Sequence, residues 1–276
     1  MRSSNVVVFC SVDDLIPISG KPLTGFPEFL QSLRENSVPC VWVTSRNRHQ
    51  LDSTIRKMGH SEPFIAEGGS SVYLAEDYFH LKPARTIRLG RFIAIPVASP
   101  QPAAAEALDQ LSEQTGITVV PLRSLSTREL IQNSGLPRSE ADSIRQRDFD
   151  ELFFFAGATE NDIERFRQHA AHLRFSVRPH GTLWSIAVNP NLSTCVRELR
   201  RLYERTFHRP AFSIGLATGS DCVELFPSCD RAILLTDRTT AEVAGKPNSR
   251  PAPKSLPLFQ PDSWSEALEL ILTRRF

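Results

Sequence analysis

The apolar run Val6-Val7-Val8-Phe9-Cys10 ends in Ser11-Val12-Asp13-Asp14, so a hydroxyl and a carboxylate stand two positions apart at the carboxyl end of a strand. Two carboxylates at that spacing suit phosphoryl transfer. The first would be both the attacking nucleophile and a magnesium ligand. Here only the second, Asp13, is in place, and Ser11 occupies the first position. The sequence therefore raises the question of whether chemistry was lost while its scaffold was kept. Asp13 and Asp14 also have a plainer use, ending the strand and capping the turn after it.

Such residues need a scaffold that gathers them at one edge. Residues 5–12 read as a strand and 26–36 as a helix with Phe26, Phe29, Leu30 and Leu33 on one face. A second buried strand spans 39–44, a helix 49–58, a short strand 63–66 and its hairpin partner 71–73. This alternation predicts a parallel sheet with helical crossovers. The pattern changes around 82–91. Strand 92–97, helix 103–115, strand 117–121, a helix-rich stretch, strand 151–155, helix 160–172 and strand 175–178 then read as a small inserted α+β domain. Ser126 followed three residues later by Glu129 is a capping-box helix start. After Trp184 the first rhythm resumes with helix 193–207, strand 212–216, a turn at Gly219 and strand 232–235. Residues 246–261, rich in Pro and Ser, read as a loop. Residues 263–273 form a last helix with Trp264, Ala267, Leu268 and Ile271 along one face.

A chain of 276 residues with a net charge of +1 carries no strong field toward nucleic acid or a membrane surface. No stretch is apolar for long enough to serve as a signal segment or a span. The five cysteines are scattered without a C-x-x-C pair, which fits reduced thiols and a cytoplasmic setting. His169 and His172, three apart on a helix, read as surface residues rather than a metal pair.

Several segments, in order along nearly the whole chain, resemble the mannosyl-3-phosphoglycerate phosphatase family of the haloacid dehalogenase (HAD) superfamily. Val43-Thr44-Ser45-Arg46-Asn47-Arg48 is similar to its second-strand threonine and basic turn, and Glu62-Pro63-Phe64-Ile65-Ala66-Glu67-Gly68-Gly69 to a segment that follows. Ser126-Thr127-Arg128-Glu129 and Gln146-Arg147-Asp148-Phe149-Asp150-Glu151 resemble cap segments, and Pro261-Asp262-Ser263-Trp264-Ser265-Glu266-Ala267 the start of the terminal helix. The resemblance implies an α/β fold: a HAD-like Rossmannoid core with a parallel sheet (residues 1–84 and 187–276) and an inserted α+β cap of C2 type (85–186).

It also implies roles. Ser11 falls at the nucleophile and Asp13 at the acid/base. Thr44, with Ser45 and Arg46, would hold the phosphoryl group, and Glu67, Gly68, Arg147 and Glu151 would face substrate. The expected lysine aligns with Leu192. In the metal loop Thr218 and Cys222 replace aspartates, leaving Asp13 and Asp221 as the metal-side carboxylates. His180-Gly181-Thr182-Leu183 lacks an arginine that the family places in its cap. The resemblance thus implies a phosphatase relative that is catalytically impaired, with losses at four points of the mechanism at once, with Mg2+ as the family's cation and its retention here in question. The expected ligand is a small phosphorylated sugar or other anion, with no nucleic acid, no membrane and an unnamed protein partner as a further option. An active phosphomonoester hydrolase with an altered nucleophile is the alternative. Plainer uses stay open too: Thr44-Ser45-Arg46 as a helix cap, Arg147 with Glu151 as a structural ion pair, and Cys222 as a small buried side chain.

Overall fold

The computed structural model describes residues 5–17, 21–80, 83–219, 222–236, 251–258, 260 and 262–275. The strands in chain order are β1 (Val6–Ser11), β2 (Cys40–Val43), β3 (Phe64–Ala66), β4 (Ser71–Leu74), β5 (Ile87–Leu89), β6 (Phe92–Pro96), β7 (Val119–Pro121), β8 (Asp150–Phe155), β9 (Phe175–His180), β10 (Leu183–Val188), β11 (Phe212–Thr218), β12 (Arg231–Leu235) and β13 (Lys254–Leu256). Among the described residues they form a nine-stranded sheet, ordered β13-β12-β11-β1-β2-β3-β4-β6-β5, and a four-stranded sheet, ordered β7-β8-β10-β9.

The large sheet is parallel from β13 to β3 and antiparallel beyond it, while the small sheet is antiparallel throughout. β1 lies inside the large sheet, between β11 and β2, and is buried along its full length. A strand covered on both faces needs apolar residues at every position, which explains the uninterrupted run in the sequence. Val6, Val8 and Cys10 pack into a core with Phe26, Phe29, Trp42 and Trp264. Val7 and Phe9 face the opposite core with Val41, Leu199 and Tyr203. The helices Phe26–Glu35 and Asp262–Thr273 cover the first face, and Leu192–Phe207 covers the second. The fold is α/β, a Rossmannoid core with a mostly parallel sheet plus an α+β insert, as the sequence leads one to expect.

Three local expectations are corrected. The strand read at 92–97 as the start of the insert pairs instead with β4 in the large sheet, because β5 and β6 continue its antiparallel edge. β10 was not read as a strand. It returns from β9 through a tight turn at Gly181 (φ +63°), and its partial burial blurs the apolar pattern. Within the stretch read as loop, Lys254–Leu256 adds a parallel edge strand to β12. Nearby prolines are tolerated there because an edge strand leaves part of its backbone unpaired.

Candidate active-site cleft

Neighbouring parallel strands bring their carboxyl ends side by side, where open α/β sheets bind ligands. β1 and β2 do so here: Val12 N–H donates to Val43 O (3.0 Å), and the next residue, Asp13, reaches the turn that leaves β2. Both Asp13 carboxylate oxygens are engaged. Oδ1 accepts from the Thr44 hydroxyl, and Oδ2 accepts from Ser45 N–H at 2.8 Å and from Ser45 Oγ at 2.6 Å. The Arg46 guanidinium lies 3.4 Å from Oδ1 and donates to the Asp13 backbone carbonyl (3.1 Å) and to that of Ile16. The helix Arg48–Lys57 starts just beyond, capped by Asn47 and not by Thr44 or Ser45.

A cavity of about 180 Å³ opens beside this cluster. Asp13, Ser45 and Arg46 form its core side, while Leu136, Ile144 and the turn His180–Leu183 close it from the insert. His180 has a buried Nδ1 with no hydrogen-bond partner. Burial, aided by the Arg147 charge, pulls its imidazole down to about 4, so the ring is neutral near pH 7. The sequence singled out this turn only for what it lacks, and His180 gave no further signal.

Ser11 is only 2% exposed and does not line the cavity. Leu192 is buried at the start of its helix and packs tightly on Gly69, whose Cβ, if it had one, would meet Leu192 N and Cα at 2.7 Å. The Thr218 hydroxyl donates to Asp14. Asp221 and the Cys222 side chain lie outside the described residues.

A magnesium ion needs carboxylate oxygens that it can hold as ligands. The two Asp13 oxygens are committed to protein donors, Asp14 accepts from Thr218, and Ser11 supplies a neutral hydroxyl in place of a carboxylate. Among the described residues no three His, Cys, Asp or Glu side chains converge as a metal-binding group. Among the described residues this donor set does not fit the cation.

The other expected site residues fall along the seam between core and insert. Glu67, in the left-handed conformation (φ +52°) after β3, directs its carboxylate at three consecutive backbone N–H groups, those of Asp148 (3.1 Å), Phe149 (2.7 Å) and Asp150 (3.1 Å). Burial and the Asp150 charge push its carboxyl up to about 8, against the pull of Arg147 and those N–H groups. Arg147 forms a two-pronged ion pair with Asp150 and donates to Ser45 O (2.9 Å) and Gln50 Oε1 (3.2 Å). The carbonyl of Gly68 accepts from Arg178 of the insert (2.8 Å). Glu151 sits apart, inside the insert, where it meets Gln101 and Arg123. Asp148 is a seam residue that the sequence reading passed over; it binds Arg48 and the Tyr73 hydroxyl. Its signal was the alternation of charge in Arg147-Asp148-Phe149-Asp150 just ahead of an apolar strand.

Some known proteins are similar to this chain in sequence, and others in fold. No family model matches the chain. A glucosyl-3-phosphoglycerate/mannosyl-3-phosphoglycerate phosphatase of Methanococcoides burtonii is 24% identical over 181 residues, which cover 64% of this chain and 65% of that protein, just under two thirds of its length. A mannosyl-3-phosphoglycerate phosphatase of Pyrococcus furiosus is 21% identical over 84% of this chain and 91% of its own. Among solved structures, a HAD-superfamily phosphatase from Bacteroides thetaiotaomicron superposes with a TM-score of 0.65 at 15% identity, over 98% of this chain and 97% of that one. The chain is thus similar in sequence to mannosyl-3-phosphoglycerate phosphatases and in fold to phosphatases of the HAD superfamily. A haloacid dehalogenase-like hydrolase from Bacillus subtilis shares the HAD fold too, with a TM-score of 0.63 at 10% identity over 99% of each chain. No helix among the described residues is long and apolar enough to cross a membrane.

Proposed function

We propose that this chain is a catalytically impaired sugar-phosphate phosphatase of the HAD superfamily, which keeps its cleft as a binding site for a small sugar phosphate or related anion. The observation that carries this reading is the state of Asp13: its carboxylate is held by Thr44 and Ser45 while Ser11, at the nucleophile position, is buried. A serine assisted by Asp13 as general base recovers only about 10²–10⁴-fold of rate. The charge stabilisation that dominates phosphoryl transfer needs the lysine and metal carboxylates that Leu192 and Thr218 replace. An active hydrolase with an altered nucleophile is the second reading, favoured by the place of Asp13 on the cavity wall.

The test is restoration. The wild type and a Ser11→Asp, Leu192→Lys, Thr218→Asp, Cys222→Asp variant are assayed with mannosyl-3-phosphoglycerate and an aryl phosphate, with and without Mg2+. A silent wild type beside a variant that gains magnesium-dependent turnover is the expected result. Wild-type turnover abolished by Asp13→Asn would overturn the impaired reading and establish the second.

A further inference from the structure

Three donors, the Thr44 hydroxyl, Ser45 N–H and Ser45 hydroxyl, converge on one carboxylate beside a guanidinium. Hydroxyls, a backbone amide and an arginine are the groups that proteins use to hold phosphoryl oxygens, and the same set binds a carboxylate by the same charge-assisted bonds. The cluster also borders the cavity, whose far wall includes His180. We infer that the Thr44–Ser45–Arg46 turn is an oxyanion cradle filled by the chain's own Asp13 carboxylate, so that a phosphate-type anion enters the cleft in competition with that carboxylate and binds more tightly once it is removed or made neutral.

This inference rests on the proposed function in taking the cleft as an anion site. It adds that the site is self-occupied. A second anion entering the wild-type cleft meets a carboxylate that already uses three of the donors, and like charges at contact distance oppose it. Loss of one carboxylate charge in so confined a place raises anion affinity by on the order of 10- to 100-fold.

Calorimetric titration of inorganic phosphate into the full chain, in a chelated buffer, tests this. Asp13→Ala is expected to bind phosphate at least about tenfold more tightly than the wild type. Asp13→Asn, which keeps the side-chain shape and removes the charge, should bind with intermediate affinity and supplies the answer if the alanine variant does not fold. The double variant Asp13→Ala, Ser45→Ala should lose the gain. Equal affinity in the wild type and both Asp13 variants would overturn the inference, as would a gain that persists without the Ser45 hydroxyl, since the anion would then sit elsewhere. Phosphatase activity in the wild type sinks the impaired reading and leaves these affinities unexplained by it; equal affinities sink self-occupancy and leave the turnover result standing.

Discussion

Arg147→Met should destabilise the folded chain by about 3–5 kcal/mol, because it strands a buried charge. The Arg147 and Asp150 side chains are only 2% and 3% exposed. Burial alone would lower the Arg147 pKa, but the facing Asp150 carboxylate more than offsets it and holds the guanidinium charged. Methionine matches much of the arginine stem, so the volume change is small. What disappears is the partner of Asp150, together with donors to Ser45 O and Gln50. Asp150 is then left buried without its cation, beside a Glu67 carboxyl that the Asp150 charge already pushes up. Replacing both members of the pair, as in Arg147→Met with Asp150→Leu, should recover most of the loss, since an apolar pair incurs no desolvation of charge. Urea unfolding followed by tryptophan fluorescence reports on both parts of the fold: Trp184 lies in the insert sheet, Trp42 and Trp264 in the core. A single-variant cost below about 1 kcal/mol, combined with weaker anion binding, would refute the reasoning and return Arg147 to a ligand-facing role.

Two further outcomes are expected. Gly69→Ala should cost at least about 2 kcal/mol, because the position has φ +89° and the new Cβ would meet the Leu192 backbone at 2.7 Å; an unchanged urea midpoint would mean that this approach is looser than the structure shows. His60 is buried against Trp42, ring centroids 3.8 Å apart, and burial lowers its pKa from 6.5 to about 3. The unfolded chain therefore takes up a proton below pH 6.5 that the folded chain refuses until about 3, so stability is present above 6.5 and is lost as pH falls. The loss attributable to His60 should reach about 2 kcal/mol by pH 5. A His60→Phe variant should show a shallower acid slope in urea titrations, and parallel slopes for the two proteins would exclude the group.

The pattern of strands and helices was legible because its causes are local. β1 announces itself as an uninterrupted apolar run because both its faces are covered, and the helix Thr127–Ser134 because Ser126 and Glu129 bond each other's end of the first turn. Strands with weaker patterns were misplaced or missed. β6 looks the same whether it opens an insert or closes a sheet edge, and only its pairing with β4 separates the two. The edge strand Lys254–Leu256 depends on β12 for its hydrogen bonds, a partner remote in the chain as strand pairing usually is.

The sequence by itself determined which chemical groups are available: a serine at the first acidic position, an aspartate at the second, a leucine at the lysine position and a Thr-Ser-Arg turn after the second strand. Tertiary structure decided what those groups do to one another. Parallel pairing of β1 and β2 brings Asp13 against Thr44 and Ser45 at the cavity wall, and the approach of the insert turns Glu67 and Arg147 into ties across a seam. Residue type sets what a side chain can donate or accept. Which partner takes it up depends on distances of a few ångströms between segments far apart in the chain, and these exist only once the chain has packed.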